Sequence, residues 1–323
     1  MIHEVDLPPA VYADMLEGCL LHEALHRLMR ETPERAERAE RAVPSIASIV
    51  DRNTLLLMAR DLLDEESYVE FGYYADELCS SIQGKWDRVF PYAPPVEEEE
   101  ERTLAGEPAG TRRNAHPASA AERVAVDHLG SIHGSYWGAV RDVVAKLPFT
   151  SANRSCHERP GQVFFVGAYG HHRYTGLHAS TLLLPSACKL LCAFIQYVCP
   201  KLQWTTIMVS RNTQLEPHVD AQNAALPSMI MGLSFFQGGQ LWIKDPTGCH
   251  FEEVKGCLVP GQLLELSGRC YMVSTHVLPH STRPWSEGDR YVLVAYAIGQ
   301  HKSLKSVHRT ALEDLGFRLP PCA

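Results

Sequence analysis

The sequence lacks three features that would place it outside ordinary globular proteins. Its ten cysteines contain no CxxC pair, and a chain of 323 residues does not need a disulfide framework. No segment reaches the ~20 apolar residues that would span a bilayer, and no basic stretch leads into an apolar run near the N-terminus. We therefore expect reduced thiols in a soluble, intracellular protein with no membrane partner, although the sequence does not distinguish nucleus from cytoplasm.

Charged residues are distributed unevenly along the chain. Residues 1–110 hold 24 acidic and 10 basic residues, a net charge of −14. Residues 111–323 hold 14 acidic and 20 basic residues, a net charge of +6, and the two parts sum to −8. Blocks of unlike charge suggest parts with different partners, whereas the simpler interpretation is a solvated acidic helical region.

The pattern of apolar and turn-forming residues divides the chain into four parts. Residues 1–91 have the apolar spacing of helices, and residues 92–120, with five consecutive glutamates among prolines, glycines and alanines, are predicted to be a linker or long loop. Residues 121–300 begin with a helix and continue as short apolar runs cut by turn residues, the pattern of a sandwich or jelly roll. Residues 301–323 are predicted to be a C-terminal tail. The predicted fold class is α+β.

The segment PHVDAQN, residues 217–223, places a histidine and a carboxylate two positions apart. Residues i and i+2 of a strand point to the same face, so His218 and Asp220 can reach one ion. Alone the triplet is weak, because this composition yields roughly 0.6 such triplets by chance.

The residues that follow strengthen this site. HSTRPWSEGDRYVLVAY supplies a third ligand, His280, and a cation ten positions later, Arg290. Two histidines and one carboxylate leave three adjacent metal positions open, as in non-haem Fe(II) oxygenases. An inward-pointing Arg290 inside a small barrel would need an anion, and a dicarboxylate suits its planar fork. His276, which lies fourteen residues before Arg290 instead of ten, is the alternative distal ligand.

The series HVD, FQGGQLW, VPGQLLEL, HSTRPW and GDRYVLVAY resembles the Fe(II)/2-oxoglutarate-dependent oxygenase superfamily over roughly residues 160–300. That resemblance implies a double-stranded β-helix of the jelly-roll or cupin kind. Within the superfamily, the chain looks most like an algal and protist group related to the ten-eleven-translocation and base-J oxygenases. It departs from common patterns at Gln240, where glutamate is usual, and at Val292, where a serine often follows the arginine.

The resemblance also implies a reaction and a set of site residues. It implies Fe(II), with 2-oxoglutarate and dioxygen as cosubstrates, and oxidative decarboxylation of 2-oxoglutarate to succinate coupled to hydroxylation or demethylation of a substrate C–H bond. The implied site residues are His218, Asp220 and His280 as iron ligands, Arg290 as the partner of the 2-oxoglutarate C5 carboxylate, and Thr282 and Asn223 as residues that contact the iron ligands or the cosubstrate.

A base of DNA or RNA is the substrate we predict, with a peptide or a small molecule as the alternative. Polynucleotide affinity comes largely from cations that neutralise phosphates, and the part of the chain after residue 110 is basic. The arginines in segments that lead into or flank the first metal-ligand strand are Arg154, Arg159, Arg173 and Arg211.

Two other functions remain open from the sequence. HEALH, residues 22–26, matches H-E-x-x-H on a predicted helix, so His22 and His26 could bind zinc with Glu23 as the base of a metallopeptidase. Its surroundings offer no third ligand, because the nearby acids lie in a solvated charge run. The other alternative is a jelly-roll binding module without catalysis.

Overall fold

The structure is a computed structural model of the chain. It describes residues 2–30, 52–83, 119–130, 136–152, 161–171, 174–286 and 289–322. Most of the predicted linker, residues 92–118, lies outside the described residues, as do Arg154, Arg159 and Arg173. No helix within the described ranges is long and apolar enough to cross a membrane.

Helices dominate the first half of the described chain and strands the second. The helices are α1 (Pro9–Arg30), α2 (Arg52–Leu62), α3 (Glu65–Gln83), α4 (Ala120–Gly130), α5 (Tyr136–Ala145), α6 (Ala179–Leu183), α7 (Pro185–Val198) and α8 (Ser306–Asp314). The strands are β1 (Ile2–Glu4), β2 (Thr150–Ser151), β3 (Gln162–His171), β4 (Tyr174–Leu177), β5 (Thr206–Arg211), β6 (Ser228–Gly232), β7 (Leu241–Lys244), β8 (His250–Val254), β9 (Cys257–Leu264), β10 (Cys270–Val273), β11 (His280–Thr282) and β12 (Tyr291–Tyr296).

Two antiparallel sheets form the core. The larger has the order β1-β10-β6-β12-β5-β3-β2, with β4 paired to β3, and the smaller has the order β11-β7-β9-β8. From β5 onward the chain passes back and forth between the sheets: β6, β10 and β12 lie in the larger one, and β7, β9 and β11 in the smaller. This alternation produces a jelly roll. The predicted α+β class and double-stranded β-helix core are therefore confirmed.

Strand alternation separates two apolar layers. On β12, Val292 and Val294 belong to the cluster between the two sheets, whereas Leu293 and Ala295 belong to the large cluster on the outer face, which also contains α4, α5 and α7. Successive side chains of a strand point to opposite faces, which produces this division. The helices therefore cover one face of the larger sheet and leave the space between the sheets for a site.

The buried helix α7 is capped by a side chain from α4. Leu184 at its N-cap offers no side-chain acceptor. Instead, the buried carboxylate of Glu122 accepts hydrogen bonds from the backbone amides of Ser186, at 2.8 Å, and Ala187, at 3.1 Å. This carboxylate accepts from two amides of the first helical turn, which have no carbonyl partner within the helix. It also lies at the positive end of the helix dipole. This contact joins α4 to the helix layer.

Both ends of the described chain pack onto the core. Strand β1 pairs with β10, and the second half of α1 forms a separate cluster with α2 and α3 through residues such as Leu25 and Phe71. Residues 301–323, predicted as a tail, contain α8 and bury Phe317 against Trp204. The backbone amide of Trp204 also donates to the carbonyl of Arg318. This segment is therefore part of the folded domain.

Candidate metal centre

Backbone pairing brings the two histidines together across 62 residues of chain. The amide of His218 donates to the carbonyl of His280 at 3.0 Å, and the amide of His280 donates to the carbonyl of His218 at 2.9 Å. The two residues thus form an antiparallel bridge at the edge of the smaller sheet. The amide of Asp220 donates to the carbonyl of Thr275, which fixes the next turn of the chain.

The strand register shows where His280 points. His280 pairs with Ile243 and Thr282 pairs with Leu241 on β7. Directly paired residues share a sheet face, and both β7 residues belong to the cluster between the sheets. His280 and Thr282 therefore face the interior of the jelly roll.

Three electron-pair donors converge at this point. Nε2 of His218 lies 3.5 Å from Oδ1 of Asp220, and Nε2 of His280 lies 3.6 Å from Oδ2 of the same carboxylate. One ligand atom of each residue lies within 4.8 Å of the others. Within the described ranges, this is the one group of three or more potential ligand residues that could hold a metal ion.

Backbone carbonyls orient both imidazoles. Nδ1 of His218 lies 2.8 Å from the carbonyl of Glu216, and Nδ1 of His280 lies 2.9 Å from that of Leu278. A carbonyl only accepts, so Nδ1 of each ring carries a hydrogen, and in the neutral form of the ring Nε2 would offer its lone pair to a metal ion. Such a hydrogen bond is the usual support of a metal-binding histidine.

The protonation tendencies of the cluster suit a metal ion. Burial lowers the pKa of His280 below its ordinary value, outweighing the opposing effect of the Asp220 charge. Burial raises the pKa of Asp220, but contacts with His218, His280 and Thr275 outweigh it, so this pKa is lower than usual. A neutral imidazole and an ionised carboxylate are the forms that bind metals.

His276 lies outside this group. It occupies the turn before β11 and is not among the three residues whose ligand atoms converge. The geometry therefore favours His280 over His276 as the distal ligand.

Arg290 is a buried cation without a buried anion. Arg290 is 3% exposed, and its Nε donates to the carbonyl of Gly239 at 3.0 Å. The guanidinium carbon lies 5.3 Å from the ring centre of Phe236 and 5.7 Å from that of Trp285. No carboxylate in the described part of the chain forms an ion pair with it. Burial lowers the pKa of Arg290 to about 9.

The FQGGQLW turn shapes this arginine pocket. Gly238 and Gly239 have φ values of 76° and 62°, in the left-handed region that favours glycine. A Cβ on Gly239 would lie 3.1 Å from Cδ of Arg290 and 3.0 Å from the ring of Phe236. Glycine here thus permits both the turn and the close approach of the arginine to the Gly239 carbonyl.

The two further predicted contacts take different positions. Thr282 faces the interior with His280, as the register shows. Asn223 follows the ligand segment, and its amide donates to the carbonyl of Asp220 at 2.9 Å. Asn223 also lines a cavity with Tyr296.

Two supporting residues were not predicted from the sequence. Thr275 is buried and contacts both Asp220 and the hydroxyl of Ser228. Asn212, at φ 51°, accepts a hydrogen bond from the amide of Arg290 at 2.8 Å. Asparagine adopts positive φ more readily than most residues, so its place at a strand end is unsurprising. Only the fold shows that its side chain accepts from the amide of Arg290.

The HEALH segment lies within α1. The ring centres of His22 and His26 are 4.5 Å apart, so both imidazoles share a helix face, and Glu23 is exposed. No third ligand joins them in the described part of the chain. The acids at Glu34, Glu37 and Glu40 lie outside the described residues.

Comparisons with known proteins give partial likenesses. No protein-family model and no curated protein matches the chain. It is similar to a 2OG-Fe(II) oxygenase family oxidoreductase from Burkholderia pseudomallei, with 18% identity over 47% of this chain and 73% of that one, at TM-score 0.35.

Two further solved structures have similar scores. A prolyl hydroxylase from Trichoplax adhaerens, solved with a hypoxia inducible factor peptide fragment, has 15% identity over 56% of this chain and 80% of that one, at TM-score 0.32. NgTET1 in complex with 5mC DNA has 13% identity over 42% of this chain and 60% of that one, at TM-score 0.28. All three scores lie below 0.5, so the functional argument rests on the residues of the site.

The contact between Thr275 and Asp220 gives a testable prediction. We expect Thr275→Val to weaken metal affinity by about 10- to 100-fold, because the carboxylate of Asp220 loses a hydroxyl that favours its ionised form. The measurement is titration of the full chain with Co(II) or Fe(II) under anaerobic conditions. Thr247→Val is the control, since Thr247 makes the same kind of contact with Asp245 on the surface. Equal affinity in both variants would contradict the role.

Proposed function

We propose that this chain is a non-haem Fe(II)- and 2-oxoglutarate-dependent dioxygenase. The observation that carries the proposal is the convergence of His218, Asp220 and His280 inside a jelly roll that also buries the cation of Arg290. The triad gathers electron pairs that need a cation, and the arginine needs an anion. A divalent metal and a dicarboxylate together meet both needs.

The donor set fits ferrous iron. Two imidazole nitrogens and one carboxylate form the ligand set of the non-haem iron oxygenases, and the remaining positions would be available to 2-oxoglutarate and dioxygen. Bound iron would supply the activation of dioxygen, coupled to decarboxylation of 2-oxoglutarate to succinate, that hydroxylates or demethylates a C–H bond. The chain itself orients the ligands through Glu216 and Leu278 and keeps Asp220 ionised.

Arg290 suits the distal carboxylate of 2-oxoglutarate. Its alternation with Val292 directs it between the sheets, the same space that His280 and Thr282 face. Its Nε is held by Gly239 and its plane lies near two aromatic rings, which leaves the ends of the guanidinium for a two-point carboxylate contact. The hydroxyl of Thr282 would donate a hydrogen bond to the same carboxylate.

Removal of any one ligand should abolish both iron binding and turnover. We expect His218→Ala, Asp220→Ala and His280→Ala each to lose stoichiometric iron and 2-oxoglutarate-dependent succinate release, because a site of three ligands does not survive with two. Metal content is measured by elemental analysis, and folding by circular dichroism.

His276→Ala is the matched control for the distal ligand and should retain iron. Loss of iron in His276→Ala with retention in His280→Ala would reverse the assignment. Stoichiometric zinc that depends on His22 and His26 would support the peptidase instead. A folded chain that binds no metal would support a binding module.

Arg290 should control the requirement for 2-oxoglutarate. We expect Arg290→Ala to raise the concentration needed for half-maximal succinate release by about 10-fold or more, since a charge-assisted pair contributes roughly 1.5 to 3 kcal/mol. Arg290→Lys should raise this concentration less than Arg290→Ala does, because lysine keeps the charge and loses the planar fork. Arg269→Ala, which removes a surface partner of Glu4, is the control. An unchanged requirement in Arg290→Ala would remove the anchor role.

For the substrate, we infer a base of DNA or RNA, with a peptide or small molecule as the alternative. The support is the net charge of +6 on residues 111–323. The guanidinium of Arg211 pairs with Asp289 at 2.6 Å, so this arginine is not available to neutralise a phosphate. The cationic contribution to phosphate binding therefore falls on other residues of this part of the chain.

Salt dependence tests this inference on the full chain. We expect binding of short DNA or RNA at low salt, with a Kd that weakens steadily as salt rises, because counterions are released from the phosphates. A variant with all five residues Glu97 to Glu101 changed to Gln should bind more tightly, since the acidic run no longer repels phosphate. No binding at low salt by either protein, or a Kd independent of salt, would contradict the inference.

A further inference from the structure

The cavity that Asn223 and Tyr296 line lies beside the segment that carries His218 and Asp220. Its volume is about 180 Å³, below the ~300 Å³ at which pockets for drug-sized ligands begin, so it suits a single ring or a small side chain. Its lining residues are Phe165, Tyr169, Gly170, His178, Gln222, Asn223, Tyr296, Ile298 and Gln300.

The backbone places this cavity on the side of the site away from Arg290. Arg290 immediately precedes β12 and Tyr296 ends it, and the two share the inward face of the strand. Tyr296 pairs with Thr206 at this end of the strand, and Asn223, which lines the cavity with Tyr296, donates its amide to the carbonyl of Asp220 at 2.9 Å. Gln222 and Asn223 follow Asp220 directly, and the carbonyl of Gln222 accepts from the amide of Gly299 at 2.8 Å.

No side chain that lines the cavity is an acid, a lysine or an arginine. The one basic side chain among the lining residues is that of His178. Burial lowers the pKa of His178, so its imidazole is neutral at pH 7. Burial of an unpaired charge is costly, so a carboxylate, phosphate or ammonium group would not enter this space. An uncharged group would.

The lining combines flat rings with carboxamides. The rings of Phe165 and His178 stack at 5.3 Å with an interplanar angle of 16°, and Tyr169 meets His178 edge-on at 5.5 Å. Gln300 lies against Gly170, where a Cβ would come within 2.8 Å of its Oε1. A carboxamide presents a donor and an acceptor side by side, which matches the edge of a heterocycle that bears both.

We propose that this cavity is the substrate subsite and that it takes an uncharged planar heterocycle of the nucleobase class, whose edge is read by Asn223 and Gln300. Its identity as a substrate site rests on the proposed oxygenase function. Its ligand preference rests on the lining alone. A base within a polynucleotide would have to leave its stack to enter, and aromatic walls and polar edges are what such pockets use.

The test measures nucleoside binding to the full chain by ligand-observed NMR and calorimetry, first with Fe(II) and 2-oxoglutarate under anaerobic conditions and then with both withheld. The probes are purine and pyrimidine nucleosides, with and without ring methyl groups, and an acetylated asparagine amide as the peptide-type probe. We expect saturable nucleoside binding with a Kd of about 0.1 to 1 mM, the range for a small ligand without its polymer.

Variants at Gln300 locate the contact. Gln300→Leu should weaken the preferred nucleoside by about 10-fold, since one two-point contact separates bases to that degree. Gln300→Glu keeps the shape of the side chain but replaces a donor by a charge, so it should weaken binding and change the order of preference among nucleosides. Gln203→Leu, an exposed amide elsewhere on the chain, should bind as the parent does. Thermal unfolding confirms that each variant is folded.

The outcomes separate this proposal from the oxygenase assignment. Nucleoside binding that persists without iron and depends on Gln300 supports the subsite even if the metal assignment fails. Iron binding by the triad together with no saturable nucleoside binding up to about 10 mM overturns the subsite and leaves the oxygenase standing. Tighter binding of the asparagine amide than of any nucleoside, or a folded Gln300→Glu that binds unchanged, also overturns it.

Discussion

The reciprocal pair of backbone hydrogen bonds between His218 and His280 is the contact on which the site depends. Each residue donates its amide to the other's carbonyl, so the two imidazoles are placed by the main chain before any ligand is present. Side-chain contacts then complete the arrangement, because Glu216 and Leu278 supply the carbonyls that turn each Nε2 toward Asp220. The candidate metal site is therefore built into the edge of the smaller sheet.

The convergence of lone pairs and a carboxylate at the triad would cost stability without a cation. The buried guanidinium of Arg290 has no carboxylate partner within the described ranges. Two aromatic faces and the carbonyl of Gly239 reduce the cost of the buried charge but do not neutralise it. Both deficits would be relieved by ligands of opposite charge, so a folded protein with this interior favours binding of metal and dianion together.

The predictions from sequence succeeded where a short pattern determines a geometry. The short apolar runs indicated the jelly roll. His218 and Asp220 lie close together, but they do so at an isolated bridge and in the irregular segment after it, not in the continuous strand that the spacing suggested. The spacing also failed to reveal Thr275 and Asn212, because their contacts join segments 55 and 78 residues apart, to Asp220 and Arg290 respectively. No local spacing encodes such pairs.

Short or terminal elements were missed for a different reason. Strand β1 has three residues and one partially buried side chain facing the sheet, too little for a periodic signal. The last segment is rich in charge and proline, yet Leu312 and Phe317 are buried because a groove beside Trp204 receives them. Composition predicts solvent exposure for such a segment, and only the tertiary fold supplies the surface that covers it.

The inward face of β12 determines the order in which charged and uncharged side chains line the interior. Arg290 and Tyr296 lie about 20 Å apart along the backbone at ~3.3 Å per residue, with the apolar side chains of Val292 and Val294 between them. The cationic end would accept a dianion, the triad would accept a cation, and the cavity beyond Tyr296 would accept an uncharged ring. A ligand bound in the wrong compartment would bury an unmatched charge, so the electrostatics of the fold alone would keep cosubstrate and substrate on opposite sides of the metal.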